Sequence, residues 1–172
     1  MEPFATVSVA ADYKSDWETW GPDWEGQKKG DGCPLCGLVG VQENDWGVRI
    51  LNGSFIDGYL WKRGILPGYC VAIWKLGHTV EPTELTEDQA AGYWSEILKL
   101  GRAIETAYQP TKMNYQTLGN GVPHLHTHVI PRHAHDPAPH GPLPWSFLDD
   151  GRQDLTLLSK GTDALRSALD HH

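Results

Sequence analysis

The chain has no surplus of positive charge: 14 Lys and Arg stand against 22 Asp and Glu over 172 residues, a formal charge of −8. A general nucleic-acid binder needs a basic face to neutralise phosphates, so that class of partner is not expected. Long hydrophobic runs are missing as well. No stretch reaches the roughly 18 apolar residues of a membrane-crossing helix, so no membrane partner is expected either. Met1 to Ala11 lacks a basic segment followed by an apolar one, the pattern of a secretory signal, and a cytoplasmic location is the default expectation. Cysteine is scarce: three residues cannot all pair, and two of them form Cys33-Pro34-Leu35-Cys36. Without an export signal, that spacing favours a metal site or a redox pair over a disulfide framework. Internal repeats are absent.

What remains fits one ordinary domain with a real core. Apolar residues at 40% and charged residues at 21% place the chain outside both the disordered and the membrane classes. Two surpluses stand out, eight tryptophans and nine histidines, and six of those histidines fall between His124 and His140.

Residues 1–32 read as an acidic, aromatic arm in which Gly21-Pro22 interrupts the Trp17, Trp20, Trp24 stripe. Such an arm would lay its indoles in surface grooves, with stacking on a base as the alternative. Asp45–Leu51, Ser54–Lys62 and Tyr69–Trp74 read as strands separated by the turns Asn52-Gly53 and Gly64–Gly68. Cys70, within the third, suits a small buried hydrophobe. Thr86-Glu87-Asp88-Gln89 has the form of a capping box. The recurrence of Ala90, Trp94, Ile97, Gly101, Ile104 and Tyr108 predicts a helix of about six turns, ended by Pro110. Lys112–Leu118 and His124–Ile130 are two further strands around Gly119-Asn120-Gly121. Leu155, Leu158, Leu165 and Leu169 support a short closing helix, weakened by Gly161. Strands, one long helix, then strands again suggest an α+β domain with an antiparallel sheet backed by helix. The expected divisions are the arm at 1–32, a main domain at 33–150 and a helical tail at 151–172.

The most informative segment is Pro123-His124-Leu125-His126-Thr127-His128-Val129-Ile130. In a strand, alternate side chains share a face, which would set His124, His126 and His128 side by side at intervals of roughly 6.5–7 Å. Leu125 and Val129 would then turn into the core. Two such imidazoles can reach one phosphate group or one metal ion. The other clustered histidines, His133, His135 and His140, lie among prolines and read as solvated loop residues.

This segment resembles the histidine triad motif, His-φ-His-φ-His-φ-φ with φ apolar, of the histidine triad (HIT) superfamily of nucleotide hydrolases and transferases; Thr127 occupies one φ position. Leu66-Pro67-Gly68-Tyr69-Cys70-Val71-Ala72-Ile73 resembles the family's Pro-Gly-His strand, and the helix from Thr86 matches its next element. Residues 112–132 look like one bacterial branch. The resemblance spans roughly residues 33–132. It implies a five-stranded antiparallel sheet with one long helix packed on it, usually as a homodimer.

The resemblance also implies a chemistry. His126 would attack the α-phosphorus of a nucleotide, and water would then release a nucleoside monophosphate from the nucleotidyl-histidine. His128 would donate to a phosphate oxygen, and Asn120 and the amides around Gly121 would contact the phosphate. Arg132 is a candidate contact for a distal phosphate by its own position, immediately after the triad strand. His124 belongs to the same catalytic triad, yet a second role competes for it. Cys33, Cys36, His78 and His124 resemble the Cys-Cys-His-His set that binds structural zinc in a subset of the family, and two thiolates with two imidazoles suit tetrahedral Zn²⁺. With zinc bound, His124 could not shuttle protons and would instead tie the N-terminal segment to the catalytic strand. Two positions depart from the family: Tyr69 replaces the histidine of Pro-Gly-His, and Trp61 stands where many members carry Asp or Asn for the ribose hydroxyls. An indole there could stack on a base. The expected function is hydrolysis of dinucleoside polyphosphates or nucleoside phosphoramidates. The alternatives are a nucleotidyltransferase or phosphorylase of the same superfamily, or a nucleotide-binding module without turnover.

Overall fold

The computed structural model describes residues 21–63, 66–136, 138, 140–142 and 154–171. In chain order these form α1 (Trp24–Gln27), α2 (Pro34–Leu38), β1 (Gly47–Asn52), β2 (Ile56–Trp61), β3 (Cys70–Trp74), α3 (Glu87–Tyr108), β4 (Lys112–Gln116), β5 (His126–Arg132) and α4 (Leu155–Asp170). The strands make one five-stranded sheet in the order β1-β2-β3-β5-β4, antiparallel at every pairing. The expected α+β architecture is therefore present.

Alternation along the strands divides the sheet into two faces. Ile56 and Leu60 of β2, Cys70, Ala72 and Trp74 of β3, and Val129 of β5 form one buried cluster with Tyr93, Ile97, Leu100 and Ile104 of α3 and with Leu158, Leu165 and Leu169 of α4. Tyr59, Val71, Ile73 and Ile130 point the other way and pack with Leu35 of α2 and with Tyr69. Cys70 is fully buried, as a small hydrophobe would be. The sheet thus carries two helices on one side and a thin cover, α2, on the other.

The long helix begins as its capping box predicts: the Thr86 hydroxyl accepts from the Gln89 amide, and the Gln89 side chain accepts from the Thr86 amide. Its buried stripe is rotated from expectation. Tyr93 is fully buried while Trp94 is 40% exposed. Tyr93 takes the inward position because its hydroxyl bonds the Thr127 hydroxyl at 2.7 Å and its ring meets Trp74 edge-on.

The closing helix runs 16 residues and starts on Asp154, whose carboxylate accepts from the Thr156 and Leu157 amides. Leu158, Leu165 and Leu169 are buried as expected, but Leu155 is exposed. Gly161 is not a weak point in this helix. A Cβ there would stand 2.2 Å from the Tyr108 hydroxyl, so its bareness is what lets α3 and α4 approach. Trp17 and Trp20 of the expected arm, and the Gly64-Ile65 part of the second turn, lie outside the described residues.

Candidate active site and metal centre

β5 begins at His126, not His124. That shift divides the three histidines between two sites. His126 and His128 alternate on the sheet face away from the helices, opposite Ile73 and Val71 of β3, and their ring centroids are 4.9 Å apart. They floor a cavity of about 490 Å³. One wall is α2, through Pro34, Leu35 and Leu38; another is the indole pair Trp46 and Trp61, 5.7 Å between centroids. The turn at 118–122 closes the cavity, with Asn120 and Gly121 lining it.

Each imidazole is held by its inner nitrogen. His126 Nδ1 lies 2.6 Å from the His124 carbonyl oxygen, which can only accept, so Nδ1 carries the proton and Nε2 keeps its lone pair. His128 Nδ1 lies 2.6 Å from the Tyr69 hydroxyl, with the two rings stacked at 5.9 Å and 23°. Burial lowers the pKa of His126, opposed by its bond to the His124 carbonyl. Burial first, and the neighbouring His126 second, push His128 down to about 3. Both rings are therefore neutral at ordinary pH, as a nucleophile and a hydrogen-bond donor to phosphate require.

His124 sits outside this cavity, fully buried, with its Nε2 donating to the Trp74 carbonyl at 2.9 Å. Its Nδ1 lies 3.5 Å from Cys33 Sγ and 3.4 Å from Cys36 Sγ. His78 repeats the arrangement. Its Nε2 donates to the Lys28 carbonyl at 3.2 Å, and its Nδ1 is 3.4 Å from Cys36 Sγ. All four ligand atoms fall within 4.8 Å of one another. A tetrahedral ion with Zn–S of about 2.3 Å and Zn–N of about 2.0–2.1 Å has S···N edges of about 3.5 Å, which these separations match. The two backbone carbonyls commit each Nε2–H and so turn both Nδ1 lone pairs into the cluster, the usual outer-shell device of a metal-binding histidine. Burial and the adjacent Cys33 push the Cys36 thiol up to about 11. The four residues fit zinc. Gly77, immediately before His78, takes φ +100, a left-handed turn that glycine adopts without strain.

Arg132 corrects an expectation. It does not line the cavity with the histidines; it is buried at the end of β5, and every one of its N–H groups is engaged. Asp136 takes Nε and Nη2, Asn114 and the Gly141 carbonyl share Nη1, and the Ala138 carbonyl takes Nη2 again. The residue spends its charge organising the segment after β5 and has none of its donors left for a phosphate. His135 and His140 are exposed, as solvated loop residues should be, whereas His133 is half-buried with Nε2 3.2 Å from the Pro67 carbonyl.

Sequence reasoning overlooked Trp46, Leu35 and Leu38. A signal for Trp46 exists in the hairpin register, because Gly47 pairs with Trp61 and the preceding residue must then flank that indole. Leu35 and Leu38 have no such signal, since their direction is set by the turn that the two cysteines impose.

Residues 60–135 match the HIT domain family. No curated protein matches the sequence significantly. Among solved structures, a histidine triad protein from Bradyrhizobium japonicum is 28% identical with a TM-score of 0.66, covering 72% of this chain and 90% of its own. A histidine triad protein from Marinobacter aquaeolei is 23% identical, with a TM-score of 0.64 over 73% of this chain and 90% of that one. A Zn-bound histidine triad family protein from Mycobacterium smegmatis is 24% identical, with a TM-score of 0.59 over 82% and 95%.

Proposed function

The chain belongs to the histidine triad superfamily through the HIT domain at residues 60–135, and from that premise we propose that it is a nucleotide hydrolase acting at an α-phosphorus. The observation that carries this reading is the pairing of His126 and His128 on the floor of one cavity, with the His126 proton held on Nδ1 by the His124 carbonyl. His126 Nε2 then presents a lone pair to phosphorus. Attack forms a P–N bond as the bond to the leaving group breaks and its electron pair departs with that group. Water next displaces the imidazole and releases a nucleoside monophosphate. One difficult displacement becomes two easier ones. His128, with Asn120 and the amides near Gly121, stabilises the charge that gathers on the phosphoryl oxygens. Trp46 and Trp61 supply aromatic walls for a base.

Cys33, Cys36, His78 and His124 would hold zinc in a closed, structural site, and a bound ion there clamps α2 beside the cavity it walls. His124 acts in this reading through its backbone carbonyl and its metal-facing ring, not as a proton shuttle. A homodimer and a cytoplasmic location complete the proposal. Among the described residues, no helix is long and apolar enough to cross a membrane.

The deciding experiment is a panel of diadenosine polyphosphates and an adenosine phosphoramidate, scored for AMP. The wild type should release AMP, and His126→Ala or His126→Gly should abolish it. No AMP from any of these, with wild type and variants indistinguishable, sinks the hydrolase reading. Repeating the assay in inorganic phosphate and finding ADP in place of AMP moves the assignment to a phosphorylase.

A further inference from the structure

The two cavity histidines face different partners with their inner nitrogens. For His126 the partner is a carbonyl, and its tautomer follows at once. For His128 the partner is the hydroxyl of Tyr69, which is able either to give or to take a hydrogen bond. Both residues are buried, Tyr69 at 2% exposure and His128 at 7%, and their O···N distance of 2.6 Å is that of a short, well-made bond. The phenol O–H is a far stronger acid than a neutral imidazole N–H, and an imidazole nitrogen is a far stronger base than a phenol oxygen. A bond between them in a dry environment therefore runs from oxygen to nitrogen.

We propose that Tyr69 is a positioning residue that donates its hydroxyl proton to His128 Nδ1 and so fixes His128 as the Nε2–H tautomer, opposite to that of His126. The neighbouring rings are then complementary. One offers a lone pair from Nε2, and the other offers an N–H from Nε2, on a single cavity floor with ring centroids 4.9 Å apart. A tetrahedral phosphoryl group needs this combination, a nucleophile for the phosphorus and a donor for an oxygen on it. Stacking of the phenol on the imidazole also restrains rotation of the ring. Tyr69 is itself held, because it follows Gly68, whose φ of +84 directs the chain into β3, and because it packs against Trp61 at 6.3 Å. The catalytic consequence rests on the hydrolase reading above; the tautomer does not.

The test separates the two. Nitrogen-15 NMR of histidine-labelled protein without substrate should show His128 protonated at Nε2 and His126 at Nδ1. A His128 protonated at Nδ1 in the wild type overturns the proposal outright. Tyr69→Phe preserves shape and stacking while removing the donor. It should redistribute the His128 tautomer, lower kcat for AMP release about tenfold or more, and leave KM within about twofold. Tyr69→His, which restores a group able to donate from this position, should recover part of the lost kcat. Unchanged tautomer and kcat in a folded Tyr69→Phe variant would also refute it. If that variant fails to fold, the wild-type tautomer decides alone. A correct tautomer with no turnover of any substrate by the wild type leaves Tyr69 as the orienting group and removes only the hydrolase reading.

Discussion

At the scale of single residues, Arg132 shows how a charge adjacent to a functional motif can serve the framework instead. Its guanidinium fork satisfies a buried carboxylate, a carboxamide oxygen and two backbone carbonyls together, a geometry that lysine cannot reproduce with one compact ammonium. The Asp136 carboxyl is held below its usual range by the Arg132 hydrogen bond, so the pair is ionised throughout the physiological range. Arg132→Lys should therefore lower stability by about 2 kcal/mol, read as a shift in the urea midpoint, because the Asp136 carboxylate, at 2% exposure, loses donors. Substrate KM should stay put. A raised KM with unchanged stability would restore a phosphate-binding role for this arginine. Sequence position alone could not separate these outcomes, since what decides is whether Asn114 and Asp136 reach the fork first, and both approach from outside the motif.

At the scale of elements, strand and helix identities were readable because period and capping are local. The alternation of β3 and β5, the Thr86 box and the Pro110 stop all appear where the pattern places them, with ends moving by one or two residues. The start of β5 is the informative miss. Alternation treats His124 like His126, but the His124 imidazole reaches back to the Trp74 carbonyl and to a pair of cysteines roughly ninety residues earlier, and no local period carries that information. The rotation of α3 has the same origin, since Tyr93 is drawn inward by the Thr127 hydroxyl.

The short α2 depends on such distant contacts too. Five residues are far too few to hold a helix in water. Its C-terminal end is pinned to β2, where the Tyr59 hydroxyl donates to the Leu38 and Val41 carbonyls and the Gly40 amide donates to Asp57 at 2.7 Å. At its N-terminal end the Cys33 amide donates to the Gly30 carbonyl at 3.2 Å, Leu35 packs on the sheet, and the two thiols reach His78 and His124. Stripping zinc with a chelator, or Cys33→Ser, should consequently accelerate amide exchange in residues 33–37, leave 38–41 and the central strands protected, and lower Tm by roughly 5 °C or more. Uniform loss of protection across the sheet would instead make the cluster part of the global fold. No change at all would remove the metal from the account.

At the scale of the whole molecule, the sheet separates two tasks by face. The helix side supplies an apolar core, while the opposite side keeps two neutral imidazoles under a thin cover. The face assignment was legible from alternation, but the cover was not, because it comes from Cys33–Leu38 and from Trp46, which sequence distance hides. Burying histidines this way has a cost that the entire fold carries. His128 keeps its proton off down to about pH 3, chiefly because it is buried, whereas the unfolded chain protonates it near the ordinary histidine value of about 6.5. Above that ordinary value the two states bind equal numbers of protons at this site. Below it the unfolded state binds more, so stability falls with pH until the folded ring itself protonates. Each pH unit within the window is worth about 1.4 kcal/mol for such a group, hence about 2 kcal/mol between pH 6.5 and pH 5, an interval that ends before most carboxylates titrate. Urea unfolding across this interval should show that decline in the wild type. His128→Asn, which has no proton to gain there, should show a decline shallower by about the same amount. Parallel pH dependence in the two proteins would mean that His128 protonates in the folded state near its ordinary value, and that the floor of the cavity is wetter than its burial implies.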